Sequence, residues 1–179
     1  RDFLQGYVNK VQRFLDAASK LPSMAEPGEP AVQAANLLVR FCAAQKVTHL
    51  LRLLPPSSTE ELAKQVDDSV ARAFAKVNEL GEAEVQTCRA LLCLSLAAGG
   101  IGLRPLTTVR HAAYVGSWLQ TANVVAKALG VVVPATWLWS TAVLPCQREL
   151  HSTVAGLAAD YGVDALALCE CSWTELPNK

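Results

Sequence analysis

The chain has 179 residues, enough for one domain to bury a core without disulfides or metals. Hydrophobic residues make up 51% and charged residues 18%, which excludes a disordered chain, and six cysteines are too few for a disulfide-stapled secreted scaffold. Sixteen Lys plus Arg balance sixteen Asp plus Glu, and zero net charge removes the long-range field by which nucleic-acid binders attract phosphates.

In residues 1 to 20, RDFLQGYVNKVQRFLDAASK, the apolar Phe3, Leu4, Tyr7, Val8, Val11, Phe14, Leu15 and Ala18 recur at three and four, which predicts an amphipathic helix. LPSMAEPGEP, residues 21 to 30, holds three prolines and a glycine and reads as a connector, since proline lacks the N–H and clashes with the preceding turn. Residues 31 to 54 read as one helix, apolar almost all round except for a strip through Gln33, Asn36 and Arg40, and such a helix belongs in the middle of a bundle. It ends at Pro55-Pro56, and Ser58 with Glu61 makes a capping box for the next helix. There Leu62, Val66, Val70, Ala73, Val77 and Leu80 form a single stripe on an otherwise charged helix that stops at Gly81 and is expected at the surface. A further helical stretch runs from about Glu82 to Leu92.

Gly99 and Gly100 permit a tight reversal between LCLSLAA and GIGLR, and Pro105 blocks direct helical continuation, so a small β-hairpin or tight glycine loop is expected near 94–104. Thr107 or Thr108 can cap the helix that follows, where Val109, Ala112, Ala113, Gly116, Leu119, Ala122 and Ala126 give a face of small residues suited to close packing. From Ala128 to Gln147 twenty residues pass without a charge. That length meets the membrane criterion, but Pro134 and Pro145 interrupt the run and Thr136, Ser140 and Thr141 dilute it. A loop and short helix held in the fold or against a partner fit better; a membrane span is disfavoured, and association with a membrane complex is left open. Val133, Trp137, Leu138 and Trp139 are the candidate anchors for a protein partner. QRELHSTVAGLAADYG then gives a last amphipathic helix through Leu150, Val154, Leu157 and Tyr161, closed by Gly162, and Trp173 can anchor the tail.

The order LLVRFCAAQKVTHLLRLLPP, a charged helix, Gly99-Gly100-Ile101-Gly102-Leu103-Arg104 and HAAYVGSW resembles the region after the polymerase palm in reverse transcriptases of non-LTR retrotransposons. The resemblance covers roughly residues 1 to 129 and implies a helical thumb-like or connecting region, whose glycine motif is usually Gly-Gly-Leu-Gly-Leu-Arg. The chain departs from the family in having no Tyr-x-Asp-Asp and no basic residue or proline leading into the glycines. Asp67-Asp68, the nearest carboxylate pair, falls mid-helix on a polar face, where a catalytic metal geometry is not expected.

Other chemistry is sparse. His49, His111 and His151 are scattered, no Gly-x-Ser-x-Gly or Gly-x-x-x-x-Gly-Lys occurs, and Cys169-Glu-Cys171 lacks a second ligand pair for zinc, so neither metal nor cofactor is expected. Cys42, Cys88 and Cys93 lie within apolar helical pattern and read as reduced thiols, which favours a reducing intracellular or organellar compartment without fixing one. A thiol enzyme pairing Cys42 with His111 is a third reading, against which buried thiols are normally inert. Candidate nucleic-acid contacts are Arg40, Lys46, His49, Arg52, Arg104 and Arg110, a small basic patch at best and disfavoured by the charge balance.

Together these readings define an all-α domain over 1–179 of about six helices, with 1–129 the retroelement-like part and 130–179 a C-terminal extension. The expected function is a non-enzymatic structural or interaction subunit, held in a larger assembly by apolar contacts with protein partners. The alternative is the nucleic-acid-gripping, thumb-like region of a longer reverse transcriptase.

Overall fold

A computed structural model of the chain describes residues 2–26, 29–128, 130 and 145–161, and every regular element among them is helical, as the patterning predicts. In order these are α1 (Asp2–Ala18), α2 (Leu21–Met24), α3 (Ala31–Cys42), α4 (Gln45–Leu53), α5 (Pro56–Val77), α6 (Glu82–Cys93), a 3-10 turn (Leu96–Ala98), α7 (Leu106–Ala128) and α8 (Pro145–Tyr161). The described residues form two compact units, one from Arg1–Leu50 with Thr59–Arg110, the other from Leu51–Ser58 with the chain from His111 onward.

In the first unit the expected order of inside and outside holds only in part: 31 to 54 buries Ala35, Val39, Ala43, Val47 and Leu50, but it does not hold the interior alone. The stretch 31 to 54 is two helices, because around Ala43 and Ala44 the amides of Lys46 and Val47 bond three residues back at 3.3 and 3.2 Å and tighten the chain into a turn. Within α3 only Ala35 and Val39 are buried, whereas Val32, Leu37 and Phe41 are exposed. The charged helix α5, expected at the surface, also takes the interior, burying Leu62, Ala63, Val66, Ala71, Ala73, Phe74 and Val77. Its alanines let neighbours approach from several sides, and its buried Ser69 satisfies its hydroxyl on the Gln65 carbonyl at 2.7 Å.

The ends of α5 also differ from the expectation. The helix begins at Pro56, a residue suited to a first turn that needs no N–H there, so Ser58 lies inside the first turn rather than ahead of it. At the far end Glu79 adopts φ 55° and the Leu80 amide donates to the Ala75 carbonyl at 2.9 Å, a Schellman closure without glycine. Gly81 instead opens α6, its N–H donating to the Glu84 carboxylate at 2.7 Å.

Asn36 and Asn78 tie α3 to the end of α5 through reciprocal amide bonds of 3.0 and 2.9 Å, and Asn78 also donates to the Phe74 carbonyl at 2.8 Å. Removing one partner strands the other half-buried amide, so Asn36→Ala is expected to cost about 1–2 kcal/mol in urea denaturation. Asn36→Ala combined with Asn78→Ala should cost less than the sum of the two single changes.

Of the two forms expected near 94–104, the β-hairpin is not formed and the chain makes a tight glycine loop, with no strand among the described residues. Ser95 caps the 3-10 turn, accepting the Ala98 N–H on its hydroxyl at 3.3 Å, and Gly99 ends it in the left-handed region at φ 79°. The amides that a hairpin would pair across strands are taken by the end of α6: Ile101 bonds the Leu91 carbonyl at 3.4 Å, Gly102 that of Leu94 at 2.7 Å, and Leu103 that of Leu92 at 2.9 Å.

The second unit packs α7 on α8. Tyr114, Val115, Leu150 and Val154 form its buried cluster, with Trp118, Leu119, Ala122 and Leu157 against it, so Leu150, Val154 and Leu157 face inward as the sequence predicts, while the expected closure at Gly162 lies outside the described residues. Tyr114 meets Trp118 edge to face at 6.4 Å. Glu149 on α8 accepts the Ser57 N–H at 3.1 Å and so holds the first turn of α5. Of the small face expected on α7, Leu119 and Ala122 pack against the buried cluster, whereas a Cβ at Gly116 would meet no described atom within 4 Å.

Candidate functional site

The glycine loop closes one side of a cleft of about 240 Å3 in the first unit, whose other walls come from α3, α5 and α6. Three close approaches shape it. Gly100 lies against the end of α6, where a Cβ would come within 2.3 Å of the Leu94 carbonyl oxygen. Gly102, at φ +73°, lies under the Arg40 side chain, with a Cβ there falling 2.8 Å from Nη2. Arg40 is thus held between the Gly102 backbone and the Phe41 ring, whose centroid is 4.5 Å from the guanidinium carbon.

Asp67 sets the position of the loop's exit. Its carboxylate accepts the Leu106 N–H at 2.7 Å and, on the other oxygen, the Thr107 N–H at 3.0 Å and the Thr107 hydroxyl at 2.9 Å. The N-terminus of α7 is therefore capped from α5, while Thr107 and Thr108, expected to cap it, lie inside its first turn. Asp68 pairs with Arg89 of α6 at 2.8 Å. The two carboxylates are committed to helix capping and an exposed ion pair, a structural use of the pair.

The basic residues singled out from the sequence are dispersed. Lys46 lies over the Phe14 ring at 4.5 Å, and His49 meets the Tyr7 ring edge-on at 5.3 Å. Arg110 is mostly buried and pairs with Glu60 at 3.4 Å, while Lys64 holds the same carboxylate at 2.6 Å. The Lys64 hydrogen bond and charge, then Arg110, hold Glu60 below the usual carboxylate range. Arg52 is exposed in the last turn of α4, in the second unit. Arg40 and Arg104 alone among the six line the cleft. Arg104 is exposed with no hydrogen bond or ion pair among the described residues, and the buried Arg40 Nε–H has no acceptor among them. Val133, Trp137, Leu138 and Trp139 lie outside the described residues, as does the Cys169–Cys171 pair.

Patterning missed the exposure of Leu37, Phe41, Leu91 and Leu94, of which Phe41 lines the cleft, and the places of Arg89 and Asp67 in its wall. The available signal was the surplus apolar face of 31 to 54, where residues one turn apart, Leu37 and Phe41, fall off the buried stripe of Ala35 and Val39. Among the described residues no group of three or more His, Cys, Asp or Glu could hold a metal ion, and no helix is long and apolar enough to cross a membrane.

Cys93 lines the cleft and is exposed overall, yet burial of its thiol, and secondly the Asp67 carboxylate, push its pKa up against the opposing Arg89 charge. A raised pKa leaves less thiolate at neutral pH, so Cys93 is expected to alkylate with iodoacetamide more slowly at pH 7.5 than an unstructured cysteine peptide. Its rate should keep rising at a pH where the peptide has levelled off. Mass spectrometry of the modified tryptic fragment reads both rates.

Comparison with protein-family models, with curated proteins and with solved structures found no match.

Proposed function

We propose that this chain is a non-enzymatic structural or interaction subunit, a retroelement-derived helical domain held in a larger assembly by apolar contacts. The observation that carries the reading is the apolar surface of the first unit: Leu37, Phe41 and Leu91 are each 54% exposed and Leu96 62%, in a chain with no net charge. Leu37 and Phe41 share a face of α3, Phe41 and Arg40 line the cleft, and Leu91 and Leu94 stand exposed at the end of α6 where the loop is bonded. Charged residues on the same unit support this by engaging local partners, as Lys46, Arg89 and Arg110 do. The uncharged segment with Val133, Trp137, Leu138 and Trp139 is assigned to the same role on its composition. The resemblance of residues 1 to 129 to the post-palm region of reverse transcriptases supports the ancestry, and ancestry need not carry function.

The experiment compares the tagged chain with its Leu37→Ser/Phe41→Ser/Leu91→Ser variant by sedimentation from native extract. The wild type should migrate in a particle well above its 19.1 kDa mass and the variant should leave it, with an unchanged thermal midpoint because all three side chains are exposed. Migration of the wild type as a lone monomer overturns the reading.

A further inference from the structure

Resting on that interaction reading, we infer that the cleft between α3, α6 and the glycine loop receives an acidic amphipathic segment of a partner protein: one apolar side chain enters the cleft and a flanking carboxylate meets Arg40 and Arg104. Size argues for a side chain. At about 240 Å3 the cleft falls below the roughly 300–1,000 Å3 typical of small-molecule and cofactor pockets. Its walls are largely apolar, through Val39, Phe41, Val66, Leu92 and Leu103.

Charge fixes the partner's sign. Four charged residues line the cleft, and two are already committed: Asp67 to the α7 amides and Arg89 to Asp68. The two left are both guanidiniums. Arg40 is stacked on Phe41 and held over Gly102, so its fork is oriented before any partner arrives, and its buried Nε–H lacks an acceptor among the described residues. The Arg40 Nη groups make no hydrogen bond among the described residues, and a partner's carboxylate accepting from them forms a charge-assisted pair. A local excess of positive charge on an apolar cleft, in a chain whose total charge is zero, matches an acidic and apolar sequence. A nucleic acid fits less well, because two free cations neutralise at most about two phosphates and the intervening surface is apolar.

The test selects a displayed library of random twelve-residue peptides on the full chain. Enriched peptides should carry Asp or Glu beside Leu, Phe or Trp, and Glu→Gln versions of the winners should bind about tenfold more weakly or worse. Arg40→Met keeps the stem over Gly102 while removing the fork, so peptide affinity should fall by a similar factor while the thermal midpoint stays level or rises. A purely structural arginine would lower the midpoint instead. Arg104→Gln, at an exposed position, should weaken binding with no change in midpoint. Absence of enrichment, enrichment of neutral or basic peptides, or binding indifferent to Arg40 and Arg104 overturns the assignment of the cleft. If the selected peptides depend instead on Trp137 and Trp139, the cleft is wrong and the interaction reading stands. If an RNA–DNA heteroduplex displaces acidic peptides in a salt-dependent way, both fail.

Discussion

Gly100→Ala is expected to cost about 3 kcal/mol and to give the steepest loss of any single methyl group added to this chain. The reason is space: Gly100 has no positive φ, but its Cβ would fall 2.3 Å from the Leu94 carbonyl oxygen, 2.4 Å from the Leu94 Cβ and 2.6 Å from the Leu91 carbonyl oxygen. Two of these are backbone oxygens at the end of α6, which cannot rotate away as a long side chain would. Relief requires the loop to lift, and lifting it breaks the bonds from Gly102 to Leu94 and from Leu103 to Leu92. Two other glycines calibrate the result. Gly99 has φ +79° and open space, so Gly99→Ala is expected to cost only about 1–2 kcal/mol of left-handed strain. Gly116 lies in α7 with no described atom near its missing Cβ, so Gly116→Ala is expected to raise stability by about 0.5–1 kcal/mol through helix propensity. Urea denaturation of the three variants checks the order, and an equal cost at Gly99 and Gly100 would mean that turn conformation, not contact, sets the loop.

Asp67→Ala is expected to cost about 2–3 kcal/mol, since it removes three hydrogen bonds to an ionised acceptor and uncaps α7 in one step. The bonds join positions 39 and 40 residues apart, so the loss detaches the start of α7 from α5 rather than fraying one helix locally. Asp67→Asn keeps one acceptor oxygen and should recover part of the loss. Asp68→Ala is the matched control: its partner Arg89 is 43% exposed, and an ion pair of that kind contributes about 0–1 kcal/mol. Similar midpoints for the Asp67 and Asp68 variants in urea would show that the cap carries little.

Much of the helical layout could be read from the sequence because its periodicity is local. The stripe from Val8 through Val11, Leu15 and Ala18 and the pattern through Leu150 and Val154 bury as expected, each side chain's partner face being set by spacing alone. Nesting of the helices was less legible. Apolar content placed 31 to 54 inside and α5 outside, whereas α5 reaches the centre through Ala63, Ala71 and Ala73, whose advantage is small size, a property that hydropathy hardly registers. The break at Ala43–Ala44 has no glycine or proline to announce it. At the cleft, Arg104 was visible in the glycine motif and Arg40 as part of a polar strip. Their juxtaposition was not, because it depends on a left-handed Gly102 passing beneath a side chain 62 positions earlier in the chain. The cap at Asp67 was equally hidden, since a carboxylate in the middle of a charged helix looks solvated until another helix begins beside it.

The central claim is that the cations of the first unit are mostly taken up by neighbours within the fold, leaving apolar surface as the working surface. Titrating the full chain with an RNA–DNA heteroduplex across a range of salt tests it most directly. The account expects no saturable binding at about 50 mM salt. Binding that saturates, weakens with a log–log salt slope of about −3 or steeper, and disappears when Arg40, Lys46 and Arg104 become glutamine would contradict it.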